Sequence, residues 1–386
     1  MSIGARDVII RECDPARRAD VAQFLDAGRN VHAHCHTDSS WVAPLDTEMR
    51  RYLSPKNPLF RHVDVALWTA VWKGLVVGSI AAIDDNSWQP HQRPDGGGFG
   101  FFECVDSVAV AHALMDTASE WLRARGRRHV IGPFNLTTNY STGLLADNFD
   151  SVPSLMMPYN PPYYLELMRA CGLTRVKELW EWEMPLDGRV PTRLARVADR
   201  VARETGVAVR DGNPRLWASE LSAIRDIYNT SWRDNWGFVP YFPDEFAYVA
   251  DGLKPLLKHS VIVLAENANG PVGFLLALPD LNPRLRPLNG TLLSRHTPRL
   301  AWSMQTGRGI ESCRVALMGV VPEARRTGIA ALMLAHAFQS PAAAHWKRAT
   351  MGWTDPSNVD ISRVIQATGA TQCRSFRVFG TDLDSA

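Results

Sequence analysis

The residues best suited to bind an anionic ligand lie between positions 315 and 334. An apolar run at 315–321 is followed by Pro322, by Arg-Arg-Thr-Gly-Ile-Ala at 325–330, and by a second apolar run. This order predicts a β-strand, a tight turn and the start of a helix. The first N–H groups of a helix are unpaired and partly positive, and a glycine lets a ligand approach the main chain closely. The turn is therefore predicted to hold a phosphate group.

The pattern at 325–330 resembles the pyrophosphate-binding motif of the GNAT acyltransferase superfamily, Arg/Gln-x-x-Gly-x-Gly/Ala after a Val-x-Pro strand end. Arg325, Gly328 and Ala330 fill the motif, and Val320 and Pro322 fill the strand end. The resemblance implies that acetyl-CoA or another acyl-CoA is the donor substrate, held by main-chain groups. The implied donor-binding residues are Val320, Arg325, Arg326, Thr327, Gly328, Ile329, Ala330 and Asn358. A strand-helix connection whose glycine only eases packing is the structural alternative.

The strand before the turn carries the catalytic groups that the resemblance implies. In GNAT enzymes this strand separates from its neighbour, and its free N–H groups polarise the thioester carbonyl. Met318 and Gly319 occupy this stretch, so their catalytic role would come from the main chain alone. A carboxylate often found on this strand is absent, because residues 315–318 are apolar. The general base is thus unassigned, with Glu311 too near the start of the strand.

Two further positions differ in how well they match the superfamily. Asn358 stands where the family uses an asparagine to bind the pantetheine arm, although it could equally cap the following helix. Ile365 stands where a tyrosine often protonates the leaving thiolate. An isoleucine cannot donate a proton. Another group, bound water or a different chemistry must replace the tyrosine.

The acceptor wall is expected between the first two helices of the second half. In this segment Asp234 could bind or deprotonate an amine, while Trp236 and Tyr241 could pack against a flat or apolar acceptor. Filling a seam between domains is the alternative role for the aromatic residues. Asp280 and Asn282, at the mouth of a strand, are further substrate-binding candidates, but the adjacent prolines fit a turn as well.

The amino-acid composition is typical of a globular protein. The chain has 386 residues, of which 46% are hydrophobic and 21% charged, as in globular proteins that fold in water. Neither a membrane-spanning run nor a basic-then-apolar leader is apparent, so a cytoplasmic protein that does not enter the membrane is expected. Six dispersed cysteines indicate reduced thiols. His32-Ala33-His34-Cys35-His36 could bind a metal, but without a second ligand cluster a polar loop or helix face is favoured, and no metal is expected.

The order of predicted elements repeats along the chain. In the first half, strands are predicted at 7–13, 65–72, 75–83, 99–105, 129–133 and 177–184, the last with one face in solvent. In the second, they are predicted at 206–210, 261–266, 272–278, 315–321, 349–353 and 375–379. The resemblance implies two tandem GNAT-like domains of the α/β (α+β) class, each with a mixed, mostly antiparallel sheet flanked by helices. The expected domains are residues 1–188 and 207–386, joined by a linker helix at 189–206.

The two halves differ in charge and at the phosphate-binding turn. Residues 1–186 carry 18 Lys and Arg against 22 Asp and Glu, and residues 187–386 carry 24 against 18. In the first half the turn equivalent to 325–330 lacks a glycine and contains Asp106, which would repel a phosphate. The N-terminal domain is therefore predicted to be degenerate, with no CoA cradle, and to supply structure or part of a substrate wall.

Three kinds of function fit these features. The leading prediction is an acyltransferase that transfers an acyl group from acyl-CoA to an amine of a small molecule at the C-terminal domain. A Fem-like tandem enzyme with aminoacyl-tRNA as donor is an alternative, and so is an enzyme that takes its acyl group from acyl carrier protein. The third kind of function is not enzymatic: a sensor or scaffold that binds CoA without catalysis, since the general acid and the general base are missing.

Overall fold

Two similar series of strands and helices make up the chain. The computed structural model describes residues 3–34, 40–88, 95–213 and 216–383. The first half contains β1 (Ile9–Cys13), α1 (Arg18–His34), α2 (Asp46–Tyr52), β2 (Val63–Trp72), β3 (Leu75–Asp85), β4 (Gly96–Cys104), α3 (Val108–Arg123), β5 (His129–Gly132), β6 (Leu144–Leu145), α4 (Tyr164–Ala170) and β7 (Thr174–Pro185).

The second half repeats this plan after a connecting helix. It contains α5 (Thr192–Glu204), β8 (Ala208–Asp211), α6 (Trp217–Ser231), α7 (Pro243–Leu257), β9 (Val261–Asn267), β10 (Gly270–Pro279), α8 (Asn282–Leu285), α9 (Thr297–Thr306), β11 (Ser312–Val320), α10 (Ile329–Phe338), β12 (Arg348–Thr354), α11 (Val359–Ala367) and β13 (Thr371–Asp382). The predicted strands and helices are thus present, with shifted ends.

All the strands belong to one sheet that runs through both halves. Its order is β1-β2-β3-β4-β5-β13-β7-β12-β11-β10-β9-β8, with β6 attached to β13. The pairs β4–β5 and β11–β12 are parallel, and the others are antiparallel. The predicted fold class, a mixed and mostly antiparallel sheet flanked by helices, is confirmed.

The last strand of each half pairs with the other half. Strand β13, at the end of the chain, pairs with β5, and β7, at the end of the first half, pairs with β12. The two exchanged strands also pair with each other over residues 371–380. The halves therefore share backbone hydrogen bonds at the centre of the sheet, which joins them more firmly than a flexible linker could.

Strand β7 corrects one expectation from the sequence. Its alternation of polar and apolar residues predicted one face in solvent, but it lies at the centre of the sheet and that prediction was wrong. Glu181 is fully buried, and its carboxylate forms a salt bridge of 3.2 Å with Arg374 of β13. A buried ion pair satisfies the polar face that the alternation suggested was exposed.

The connecting helix is part of the second hydrophobic core. Leu194, Ala198 and Val201 of α5 are buried with residues of α10 and of strands β9 to β12. Spacings of three and four residues place them on one face of the helix. The predicted linker helix at 189–206 thus takes the form of a packed helix over Thr192–Glu204.

An insertion in the second half reaches across to the first. It contains α8 and α9 and follows β10. The N–H of Asp46 in α2 donates to the carbonyl of Gly290, and Arg29 of α1 donates to the carbonyl of Asn289. The insertion thus covers one end of α1 and α2.

Within the described residues, no helix is both long and apolar enough to cross a bilayer.

Candidate active site

The turn between β11 and α10 has the geometry of an anion cradle. Gly328 has a φ of +90°, in the left-handed region that favours glycine, and it directly precedes α10. The N–H groups of residues 326–330 donate to no group in the described part of the chain. Five neighbouring donors at a helix start form a concave site for phosphate oxygens. This arrangement is compatible with a phosphate turn, which stays a prediction.

Packing gives Gly328 a second role. A Cβ atom at this position would come within 2.6 Å of a methyl group of Val201 on α5. The alternative from the sequence, a glycine that eases packing, therefore also has a physical basis. Both the backbone conformation and the close helix require a glycine here.

The two arginines of the turn point in different directions. Arg325 donates to the carbonyl of Ser231 at the end of α6, so it fastens the turn to that helix. The Arg326 guanidinium is exposed and lies 3.1 Å from the carboxylate of Asp360 on α11. Thr327 is exposed and donates its hydroxyl to the carbonyl of Ala324. The main chain, more than these side chains, lines the cradle.

The strand that leads to the turn has an open edge. Only residues 312–315 of β11 pair with β12, while 317–320 pair on the other side alone, with β10. This divergence is the one expected of the strand that carries Met318 and Gly319. Val320, the last residue of β11, has its N–H and carbonyl free of hydrogen bonds among the described residues. An extended polar ligand could bind along this edge.

Gly319 lies against an aromatic ring. A Cβ atom here would come within 2.7 Å of the Trp232 ring and 2.9 Å of the Phe274 ring. Trp232 in turn stacks on Tyr228, with ring centroids 4.7 Å apart. The strand therefore has no room for a side chain at this point, consistent with a role through the main chain.

Asn358 and Ile365 both lie on or beside α11. The Asn358 side chain accepts a hydrogen bond of 3.2 Å from the N–H of Ile361, so it caps this helix. Its side-chain NH₂ group is still available to a ligand. Ile365 is buried in the second core, so the position offers no proton donor.

The predicted acceptor segment between α6 and α7 lies at the seam between the halves. Asp234 is exposed on this loop. The Trp236 ring lies 6.4 Å from that of Phe134 in the first half. Tyr241 is buried, and its hydroxyl donates to the carbonyl of Asn139, also in the first half. The aromatic residues therefore fill the seam, and Asp234 alone of these three is open to solvent.

Asp280 and Asn282 lie away from the turn. Asp280 is buried; its carboxylate accepts from Ser312 and from the N–H of Leu155, and burial raises its pKa. Asn282 is also buried and donates to the carbonyl of Pro153. Asp280 lies beside the first residue of β11, whereas the turn follows the last, about 25 Å further along at 3.3 Å per residue. These two side chains hold a loop of the first half in place.

A buried arginine near the start of β11 was not predicted. Arg314 donates to the carbonyls of Leu155 and Gly352, and its guanidinium lies 5.1 Å from the Trp353 ring. Burial lowers its pKa to about 10. This side chain closes the β11–β12 gap at the end opposite the turn. Its partners are distant in sequence, so no local pattern could identify its role.

The first half has a carboxylate where the second has Gly319. Glu103 pairs with Ser79 one residue after Gly78, just as Gly319 pairs with Phe274 one residue after Gly273. The Glu103 carboxylate accepts a hydrogen bond of 2.7 Å from the Tyr164 hydroxyl. The sequence did offer a signal, since Glu103 is the one charged residue in an otherwise apolar strand.

Two tyrosines occupy the edge of β4 that corresponds to the open edge of β11. The N–H of Cys104 donates to the Tyr164 hydroxyl at 2.9 Å, and the Tyr163 hydroxyl donates to the Cys104 carbonyl at 2.7 Å. Ser107 caps α3 through a bond of 3.5 Å from the N–H of Val110. An extended ligand therefore cannot bind along this strand end as it can in the second half.

A cavity of about 120 Å³ lies beside Glu103 on the side of α1 and α2. Its walls include Trp41, Phe101 and Tyr159. His32 lies on α1; its ring stacks on Trp41 at 4.2 Å, and its Nε2 is 3.5 Å from the Glu103 carboxylate. Residues 32–34 of the cluster at 32–36 lie in α1, and a helix was one of the two interpretations favoured from the sequence. Cys35 and His36 lie outside the described residues.

Two relatives match nearly the whole chain. Protein YghO of Escherichia coli is 33% identical over 347 residues, which cover 89% of this chain and 88% of YghO. The bacterial ceramide synthase of Caulobacter vibrioides is 30% identical over 367 residues, which cover 94% of each chain. No family model matches the sequence.

Solved structures show the same fold. A tandem GNAT protein from the clavulanic acid biosynthesis pathway aligns over 98% of this chain and 99% of its own, with a TM-score of 0.58 at 12% identity. A GCN5-related N-acetyltransferase from Sphaerobacter thermophilus aligns over 98% and 96%, with a TM-score of 0.51 at 13% identity. The chain therefore has the fold of a tandem GNAT protein and belongs to the same family as YghO and the bacterial ceramide synthase.

Proposed function

We propose that the protein transfers an acyl group from acyl-CoA to an amine of a small molecule, with the donor held by the C-terminal half. In this reaction the amine nitrogen bonds to the thioester carbonyl carbon, the carbon-sulfur bond breaks, and the thiolate takes up the proton that the amine loses. The observation that carries the proposal is the group of five free N–H donors at 326–330.

The open edge of β11 supports the same site for the donor. A pantetheine arm is an extended amide chain, and it could pair with the free N–H and carbonyl of Val320. The main-chain N–H of Met318, two residues before Val320 and so on the same edge, would then lie along the thioester, where it can stabilise a developing oxyanion, while the N–H of Gly319 faces β10. Asn358, beside the turn, could donate its side-chain NH₂ group to the arm.

The relatives favour a long-chain amino alcohol as acceptor. A ceramide is an amide of a fatty acid with such a base, and a ceramide synthase matches 94% of this chain. Asp234 is exposed on the loop beside Trp232, which covers Gly319. A carboxylate there can attract an ammonium group toward the donor or remove its proton.

Donor binding is tested by titration calorimetry with acetyl-CoA and a long-chain acyl-CoA. Thr327→Asp places a carboxylate on the exposed face of the turn, and we expect it to weaken binding at least about ten-fold through repulsion of the pyrophosphate. Thr327→Asn is the matched control, with nearly the same shape and no charge. Gly328→Asp should abolish binding, since it also strains the turn.

The outcomes separate donor from acceptor. Equal affinity for acyl-CoA in wild type, Thr327→Asp and Thr327→Asn, or no binding to wild type, would contradict the donor site. Asp234→Asn should slow transfer to a long-chain amino alcohol while leaving acyl-CoA affinity unchanged. Unchanged turnover in this variant would remove Asp234 from the reaction.

A further inference from the structure

The cavity in the first half has the size of a small ligand or a head group. Its volume of about 120 Å³ approaches that of cavities that accept a benzene-sized molecule, roughly 150 Å³. It lies between α1, α2 and the strands β3 and β4, and the loop at 158–160 closes another side. Residues of α6, α7 and β11 do not line it, so it is separate from the proposed donor site.

The charges in its walls leave one carboxylate without a fixed cation. Three side chains that are charged at neutral pH line the cavity among the described residues: Arg29, Asp46 and Glu103. Arg29 is paired with Asp46 and with Asp26 outside the cavity. The net charge of the lining is therefore negative, and its source is Glu103.

The orientation of Glu103 presents one oxygen to the cavity. Oε2 accepts from the Tyr164 hydroxyl. Oε1 points toward α1, where a Cβ atom at Gly28 would lie 3.4 Å away. Because Gly28 has no side chain, space remains in front of this oxygen.

Three other polar side chains that line the cavity already form hydrogen bonds within the protein. The Ser79 hydroxyl donates to the carbonyl of Phe101, and the Asn135 side chain accepts from the N–H of Phe101. Asn160 bonds to both main-chain groups of Leu145. The remaining surface is largely apolar and includes the aromatic rings of Phe24, Trp41 and Phe101. A carboxylate oxygen among aromatic faces selects a cation that also carries apolar atoms.

We infer that this cavity is a binding site for a small primary ammonium compound, with the Glu103 carboxylate as its counterion. The inference concerns ligand binding in the first half and does not depend on acyl-CoA or on transfer in the second. The amino head group of the proposed acceptor belongs to the same chemical class. The His32 ring, whose Nε2 lies 3.5 Å from the same carboxylate, is the neighbouring side chain that an ammonium ligand would compete with.

The test compares butylamine with butanol by ligand-observed NMR on the full chain at pH 8. The two probes have the same size and differ in charge. We expect the wild type to bind butylamine at least about ten-fold more tightly than butanol, because a partly buried carboxylate pairs with the ammonium group. Glu103→Gln keeps an acceptor for Tyr164 and should remove this preference.

A second variant and a control keep the test decisive. Gly28→Leu fills the space in front of the Glu103 carboxylate without removing its charge and improves helix propensity, so it should abolish binding of both probes while α1 stays folded. Glu120→Gln removes an exposed carboxylate on α3 and should change nothing. A preference for butylamine that survives in Glu103→Gln, or its absence from the wild type, would overturn the inference. Wild-type acyl-CoA binding, measured separately, reports on the proposed function alone.

Discussion

The ends of β4 and β11 occupy the same place in two copies of one fold, yet they present different chemistry. In the second half, β11 ends with free main-chain groups, Gly319 and a turn of free N–H donors. In the first half, β4 ends with the carboxylate of Glu103, and two tyrosine hydroxyls cover its edge. One copy exposes its backbone, and the other has a charged side chain beside a small cavity.

In the two proposals above, the halves of a duplicated fold divide recognition between them. A polyanionic donor needs main-chain donors and a turn without side chains. An amine needs a carboxylate in a small cavity. A single strand end cannot meet both needs, since Gly319 has no room for a side chain and the edge at Cys104 is already bonded. Two copies joined by exchanged strands allow each half to specialise.

Gly319→Glu should have the largest effect, because it gives β11 the glutamate that β4 has at the equivalent position, Glu103. Its Cβ would lie 2.7 Å from the Trp232 ring, and its carboxylate would be buried without a partner. We expect the unfolding free energy to fall by at least about 3 kcal/mol. Urea denaturation followed by circular dichroism measures this loss.

The double variant with Trp232→Ala tests the cause. Removing the ring opens space for the new side chain, so the two changes together should cost less than the sum of their separate effects. Strict additivity would show that Trp232 is not what excludes a side chain at Gly319.

Tyr164→Phe tests the closed edge of the first half. The change leaves the buried N–H of Cys104 without its acceptor and removes the bond to Glu103. The expected loss of unfolding free energy is about 2 kcal/mol. Tyr163→Phe is the control, since that ring is only half-buried and water can replace its bond. An equal loss in both variants would contradict this account.

His62 tests whether the two halves behave as one unit. Burial alone lowers the pKa of His62, but hydrogen bonds of 3.3 Å to Asp85 and to Glu245 of the second half raise it to about 9. Because the folded pKa lies above the ordinary value of about 6.5, protonation stabilises the folded chain. This contribution is complete below pH 6.5 and is lost as the pH rises through about 9.

The measurement compares wild type with His62→Gln in urea at several pH values. We expect wild type to be more stable by about 1–2 kcal/mol at pH 6, after allowance for solvent screening, and the advantage to vanish above pH 9. A difference that stays constant across this range would mean that His62 does not couple the halves through its charge.

Local patterns in the sequence predicted the elements and the turn, because their causes are local. Gly328 and the residues around it define a strand, a turn and a helix start within some twenty positions. The strand exchange was not predicted, because the sequence of β7 does not indicate whether the strand pairs with β5 or with β12. Asp280 was predicted to bind substrate from its place at the mouth of a strand. Its structural contact could not be predicted, because its partner Leu155 lies 125 positions away. Glu103 was missed because a single carboxylate acquires meaning only once a cavity forms beside it.

The smallest effect concerns the cap of α3. Ser107→Ala removes the acceptor for the N–H of Val110, a bond of 3.5 Å, so we expect a loss of about 0.5–1 kcal/mol in unfolding free energy.

Ser107→Ala also tests why the two halves differ in donor binding, because it frees the N–H groups at a helix start in the half that has no phosphate turn. If the turn's shape creates the donor site, uncapping α3 adds no acyl-CoA binding to a Thr327→Asp background. Restored binding in the Ser107→Ala, Thr327→Asp double variant, measured by calorimetry, would show that the cap alone separates the halves. We expect none, because Asp106 also stands beside that helix start and repels a phosphate.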